Sequence, residues 1–535
     1  MDIHGLEPSS QTARPPGYSS WRLDAVVVAV LLAGWLVGLT GPVLCLRPIA
    51  PDTYRDAAYA EHILEGRWSD DPALLGYRYW YPPLGPLVYS LIGRTAGTPP
   101  LAVYGTSVLW ANIWILPILY LLVRRSFDRL TGVTAVLCVW LGSRWWSDNL
   151  ALPVPAVQGL VPALATLWLW VEVQAAKLRW SVPVAILLAI CAWHHVICGL
   201  VTSGAIGLHA LACTVGCRPG SRWQPLLRAA VVAAICGMLV APLAWHLASL
   251  PQVNRIPFRY VATELFNPRY SRHALTPLVI PLAIAGVVYV LRRAGDKGAW
   301  VIGYLLVGLV GQAPAYLRRF VGRSLPLLVP HEFQWHGQLA VGILAAIALV
   351  WIAREAAGYR GRVPGFSSPR SAPFAVGCAW ACLVMLVIGP DAADAVRRID
   401  DRWISSRPLP AEARAADWIK RNTGVYDVFL CHPQTGYRLV GGLTGRKLVA
   451  PLAGYANVAA PVPKLHEDNK RLLKTDDPDE FRRLAVNEHQ VQYLLVEGSL
   501  LDRLPRWRRW DLFDEVYADT DDGVVILGLR PGPSR

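Results

Sequence analysis

From Ala25 to Gly66 the chain reads AVVVAVLLAGWLVGLTGPVLCLRPIAPDTYRDAAYAEHILEG. An apolar run of about 20 residues matches the hydrocarbon core of a bilayer. Here such a run, over about 25 to 46, gives way to a polar, helix-forming segment that holds Asp52 and Asp56. The expectation is a membrane span followed by a helix in a water-facing loop. Ten further runs of the same kind follow, at about 101–123, 130–147, 154–175, 182–197, 198–216, 227–248, 276–291, 299–316, 335–353 and 372–392. The stretch from Val182 to Val215 is too long for one helix and is divided only by Trp193-His194-His195 and Gly199, so it counts as two spans with a tight outer turn. Of the 535 residues, 54% are hydrophobic and 17% charged. Soluble domains carry roughly a quarter charged residues, and disordered chains need low hydrophobicity, so both classes are excluded.

The net charge of +14 would suggest nucleic acid as a partner in a soluble protein. In a membrane protein it must be sorted by side, because Lys and Arg gather in cytoplasmic loops. Arg14 and Arg22; Arg124, Arg125 and Arg129; Lys177 and Arg179; Arg218 and Arg222; Arg292, Arg293 and Lys297; and Arg354, Arg360, Arg362 and Arg370 all fall on one side of an eleven-span count. No nucleic-acid partner is then needed. Residues 1–24 are expected in the cytoplasm, and the first span, longer than a signal-peptide core, reads as an uncleaved anchor. Residues 393–535 are expected outside as a soluble domain. Within it Glu412–Arg421 reads as helix and Val425–Cys431, Val491–Val496 and Val524–Leu529 as strands. The architecture is thus an all-α polytopic membrane domain over 25–392, of about 11 transmembrane helices, with a C-terminal α/β extracytoplasmic domain. Cys138, Cys191, Cys198, Cys213, Cys236, Cys378 and Cys382 lie in apolar runs and read as small buried hydrophobes.

The first outer loop, 47–100, carries Asp52 and Asp56 four apart on one helix face. One reading makes Asp52 a helix cap and Asp56 a solvated first-turn acid. The other gives them chemistry, since they sit just beyond a membrane exit, where a carboxylate meets both lipid headgroups and water-borne molecules. Asp70 and Asp71 read as turn residues leading into Pro72. Tyr77-Arg78-Tyr79-Trp80-Tyr81-Pro82-Pro83-Leu84 reads first as an interfacial aromatic belt, and such rings also stack on sugars. On the outer side Arg318, Arg319 and Arg323, with Arg255 and Arg259 in the preceding loop, oppose the orientation bias. Guanidinium groups that bind phosphate bidentately explain them. Trp193-His194-His195 and His331-Glu332-Phe333-Gln334-Trp335-His336 stand at outer helix ends, where imidazoles either pack between helices or do acid/base work. Asp148 is a further outer acid. No motif requires a metal, although a divalent cation is compatible with these acids.

An Asp just past the first span, a long first loop ending in Tyr-Pro-Pro-Leu, many spans and an outer soluble tail together resemble the GT-C superfamily of membrane glycosyltransferases. The resemblance implies a transferase that takes sugar from a polyprenyl-phosphate donor and passes it to a glycan, glycolipid or protein acceptor of the cell envelope, on the outer face of a bacterial plasma membrane. It gives Asp52 the place of the first-loop catalytic acid, with Asp56 as the neighbour that shares or replaces it. Asp148 takes the place of a second-loop acid, and His194, His195, His331, Glu332 and His336 are auxiliary. The outer arginines become donor-phosphate ligands. The Trp-Trp-Asp-Tyr-Gly signature of oligosaccharyltransferases is missing from the sequence. The rival readings are a lipid or glycolipid transporter, which would put ionisable groups near mid-bilayer in two related halves, and a non-catalytic membrane protein whose tail binds envelope polymer. The turn Thr444-Gly445-Arg446-Lys447 and Tyr455 are expected to bind acceptor or to cover the site.

Overall fold

Each of the apolar runs holds a helix, and the reason lies in the solvent they are built for: where no water reaches, the backbone must satisfy its own hydrogen bonds. The computed structural model describes residues 19–43, 51–141, 146, 149–150, 152–174, 178–216, 223–251, 278–313, 330–360, 376–385, 410–452, 456–457, 459–519 and 523–530. The helices are α1 (Ser19–Val43), α2 (Pro51–Leu64), α3 (Leu84–Ala96), α4 (Pro100–Trp110), α5 (Ile115–Ser126), α6 (Arg129–Trp140), α7 (Leu160–Val173), α8 (Ser181–His194), α9 (Val196–Gly216), α10 (Gln224–Ser249), α11 (Val279–Tyr289), α12 (Ala299–Val310) and α13 (Pro330–Arg360). Among the described residues five stretches are long and apolar enough to cross a membrane: Pro100–Ser126, Pro155–Val173, Val196–Val215, Gln224–Ser249 and Glu332–Ala356.

The long run between Val182 and Val215 does divide in two. His195 leaves the helical region with φ −153° and ψ 111°. Gly199 lets the two helices close up, since a Cβ there would stand 2.8 Å from Ala192 Cα.

The two ends of the bundle differ in chemistry. At one end Asp24 takes Arg124 at 2.6 Å and Arg129 at 2.9 Å, Arg354 pairs with Asp128 at 3.0 Å, and Arg125 pairs with Glu172 at 3.0 Å. Arg293, Lys297 and Arg354, from connections expected on the cytoplasmic side, line one cavity there. The opposite end carries α2, α3 and the aromatic loop. The helix ends agree, because α13 runs from Glu332 beside His195 to Arg354 beside Asp128.

The tail begins with α14 (Pro410–Asn422) and also holds α15 (Val462–Lys474). Its sheet contains β1 (Val428–Leu430), β2 (Lys447–Leu448), β3 (Val491–Val496), β4 (Phe513–Asp519) and β5 (Val524–Leu529), in the order β2-β1-β3-β5-β4. β1 pairs in parallel with β2 and β3, and β5 runs antiparallel to β3 and β4. Adjacent strand residues point to opposite faces. Leu494 accordingly joins a cluster with Leu472, Phe481 and Trp507, and Leu495 joins another with Ile419, Phe429 and Ile526. The expected strand at Val425–Cys431 shortens to three residues, and the sequence reading omits β2, β4 and α15. Cys378 and Cys382 are exposed, against the expectation that they are buried.

Helices in a membrane gain by close backbone approach at small residues. A Cβ on Gly286 of α11 would lie 2.1 Å from the carbonyl oxygen of Leu344 in α13, whereas a Cβ on Gly207 of α9 meets nothing within 4 Å. Gly286→Ala should therefore destabilise the protein by about 1–3 kcal/mol through overpacking. Gly207→Ala should be neutral or stabilising by up to about 1 kcal/mol. Unfolding in detergent micelles compares the two, and equal effects would refute the backbone contact.

Candidate functional site

Helix α2 starts at Pro51, whose missing N–H costs nothing at a first helical position, with Asp52 in the first turn, where the helix dipole favours an acid. One turn on, Arg55 changes how the two acids must be read. Its Nη1 lies 3.0 Å from Asp52 Oδ1 and its Nε donates to Asp56 Oδ1 at 2.8 Å. Its guanidinium sits 3.8 Å from the centre of the Tyr81 ring. The two carboxylates are thus held by one shared cation and their repulsion is offset. Asp56 is 1% exposed, which overturns the solvated first-turn reading, while the Asp52 side chain keeps 25% of its surface open. Burial pushes the Asp56 carboxyl up to about 7, with Arg55 pulling it back and Asp52 adding to the rise. For Arg55 burial works to lower the pKa, and Asp56, Tyr81 and Asp52 outweigh it and raise it.

The loop rings that read as a membrane belt instead pack around this ion cluster. Tyr59 meets Tyr79 edge-on at 4.5 Å and stacks on Tyr81 at 6.2 Å. Trp80, Tyr54, Arg55 and Tyr59 line a small cleft whose far wall is Tyr437 and Asn457 of the tail. The tail comes so near that a Cβ on Gly442 would be 2.6 Å from Tyr54 Cβ.

Asp71 fixes this closure. As expected it forms a turn, accepting from the Ala73 and Leu74 amides at 2.9 Å each. It also takes Asn457 Nδ2 at 2.9 Å, and its carbonyl accepts from the buried Lys447 ammonium. Burial lowers Lys447 to about 8 against the attraction of Asp71. Lys420 pairs with Glu61 at 3.1 Å, Tyr426 donates to Asp70 at 3.2 Å, and His62 Nε2 donates to the Gly445 carbonyl at 3.0 Å. The turn at 444–447 is therefore a docking element, with Arg446 bonded to Thr423 and to the carbonyl of Lys420. On the membrane side, His246 at the end of α10 donates to the Tyr79 carbonyl at 2.7 Å.

The two histidine clusters meet at one point, where His195 Nε2 is 3.6 Å from Glu332 Oε2. Burial raises the Tyr81 hydroxyl, Arg55 lowers it, and Asp56, Asp52 and Glu332 raise it further. His194 packs on Gly85 at the start of α3. His336 does not join this group: it bonds Tyr304 at 2.5 Å and faces Cys198 inside the bundle. Asp148, Arg255, Arg259, Arg318, Arg319, Arg323, Tyr455 and the side chain of His331 lie outside the described residues. The sequence reading named Tyr81 within the aromatic stretch and Lys447 within a covering turn, but missed Arg55, Tyr437 and Asn457. Of these only Arg55 carried a local signal, an arginine three residues after one acid and next to the other.

Many apolar helices at one side of an ion-paired first loop, with a mixed-sheet tail docked on that loop, make up a fold that solved membrane glycosyltransferases share. Three solved structures illustrate it. The apo oligosaccharyltransferase of Archaeoglobus fulgidus aligns with TM-score 0.59 at 12% identity, over 90% of this chain and 70% of that one. ArnT from Cupriavidus metallidurans, bound to undecaprenyl phosphate, aligns with TM-score 0.56 at 15% identity, over 96% and 98%. The arabinofuranosyltransferase AftD from Mycobacteria gives TM-score 0.58 at 14% identity over 96% of this chain, which spans 40% of AftD. No family model matches the sequence, and no curated protein does.

One titration follows from the docking geometry. Burial and the neighbouring Lys447 charge lower His62 to about 3, against the bond to Gly445. Its unfolded value is about 6.5, so the unfolded chain binds the extra proton between those limits. The sign is that stability is present above about 6.5 and falls as pH drops toward 3, by at most about 1.4 kcal/mol per pH unit. His62→Gln should flatten that part of the pH profile of thermal unfolding. An unchanged profile would show that His62 is not the group responsible.

Proposed function

We propose that this protein transfers a sugar from a polyprenyl-phosphate donor to a cell-envelope glycan, glycolipid or protein acceptor, with inversion and with Asp52 as base. The observation that carries the reading is the half-buried carboxylate of Asp52, held by Arg55 beside a cleft that the first loop and the tail build together. A general base must be ionised and within reach of the acceptor hydroxyl. Asp52 meets the second need through its partly open side chain, and Arg55 at 3.0 Å fixes its orientation. Asp56, buried and bound to the same guanidinium, acts as a positioning residue that keeps Arg55 under Asp52.

In the transfer the acceptor hydroxyl gives its proton to Asp52 as its oxygen attacks the anomeric carbon. The bond from that carbon to the phosphate oxygen breaks on the opposite face, and the phosphate leaves with the electron pair. Charge grows on the departing phosphate, and cations preorganised around it lower the barrier. Arg318, Arg319 and Arg323, with Arg255 and Arg259, are proposed for that task. Glu332 with His195, and Asp148, are proposed as auxiliary groups at the rim. Residues 25–392 form the transferase domain and 393–535 the extracytoplasmic domain in this reading, with the N-terminus in the cytoplasm. The undecaprenyl phosphate bound by ArnT, a protein of the same fold, supports the donor class.

Incubating the purified protein with a panel of polyprenyl-phosphate sugars and envelope acceptors tests the reading through a new glycosidic product. Asp52→Asn should lower turnover by about 100- to 10,000-fold, the usual effect of removing such a base, while membrane insertion stays intact. Turnover near that of the wild type would overturn the assignment.

A further inference from the structure

A second cluster of ligating groups lies in the tail, away from the cleft. Asp468 stands on α15, and Glu488 and His489 close the helical segment Arg483–Glu488 just ahead of β3. One ligand atom from each lies within 4.8 Å of the other two. Asp468 Oδ2 and His489 Nε2 are 3.2 Å apart, in side chains only 13% and 10% exposed. At that distance a hydrogen bond would be expected, yet neither atom has a hydrogen-bond partner and both are shut off from solvent. The pair is close enough for an ion pair but lacks hydrogen-bond geometry. Buried polar atoms left in this state are costly, so a third body that satisfies both is favoured.

We propose that Asp468, Glu488 and His489 bind a zinc-class divalent cation. Zinc bonds of about 2.0–2.1 Å at tetrahedral angles set neighbouring ligands roughly 3.3 Å apart, the spacing seen between Asp468 and His489. Two carboxylates neutralise the charge of a divalent ion, and the imidazole selects against calcium and magnesium, which prefer all-oxygen shells. Water completes the shell on the side where Glu488 is exposed. Arg483 Nη1 lies 3.2 Å from Glu488 Oε1, but both side chains face solvent, so this pair yields readily to a metal. The ion would clip α15 to the entry of β3.

The test uses the full-length protein in detergent micelles, stripped with a chelator and titrated calorimetrically with zinc chloride and, separately, calcium chloride. The expected result is one zinc bound in this site, with a rise in the unfolding temperature. Asp468→Asn and His489→Gln should each weaken zinc binding at least about 10-fold and remove the rise. Glu488→Gln, on an exposed side chain, tests the same site with no demand on folding and should also weaken it. Asp52→Asn should leave this binding unchanged, which separates it from any ion at the first loop. No zinc binding, binding unaltered in all three tail variants, or a preference for calcium would overturn the proposal.

Discussion

A single buried guanidinium organises the loop-bearing end of this molecule. Taking an arginine out of water costs several kcal/mol, and the cost is offset only where good partners surround the charge. Arg55 has Asp56 at 2.8 Å, Asp52 at 3.0 Å and the face of Tyr81 at 3.8 Å. Removing one member of such a group leaves an uncompensated charge and typically costs about 3–5 kcal/mol. The position of α2, the fold-back of the loop that brings Tyr81 over it, and the exposure of Asp52 all follow from that requirement. Tyr59, Tyr79 and Tyr81 then supply the low-dielectric wall that makes the pairing strong.

What the chain reveals in one dimension is periodicity and local chemistry. Apolar runs interrupted by arginines read directly as helices and ends, and the division at His195 was visible because Gly199 and the polar imidazoles interrupt the run. The Asx turn at Asp71 was visible because its partners lie two and three residues on. The ion cluster was only half visible. Asp52 and Asp56 marked the place, but their burial difference depends on which side of α2 the tail covers. Tyr437, Lys447 and Asn457 reach the first loop across more than 360 residues, which no local pattern encodes. β2, two residues long, is a strand only because β1 lies beside it. β4, reading Phe-Asp-Glu-Val-Tyr-Ala-Asp, hides its strand character under Asp514 and Glu515, which face solvent.

The fold is shared with transferases at 12–15% identity, so what persists is an arrangement and not a set of residues. A fold fixes where a site can be, and the side chains at the site decide the reaction. Here the arrangement puts a half-buried carboxylate beside aromatic rings, at the end of the bundle away from the Arg124, Arg129 and Arg354 cluster. Transporters need their ionisable groups deeper, near the middle of the span.

The bond between Lys447 and the Asp71 carbonyl joins residues 376 positions apart. On the ribosome, at about 5–20 residues per second, the first loop therefore waits roughly 20–75 s for the segment that completes it. During that interval Asp71, Tyr54 and the open aromatic wall stand in water without their cover. Maturation of the cleft is thus a late event, governed by arrival of the tail and not by insertion of the first helices, and damage to the tail would leave an inserted but unfinished protein.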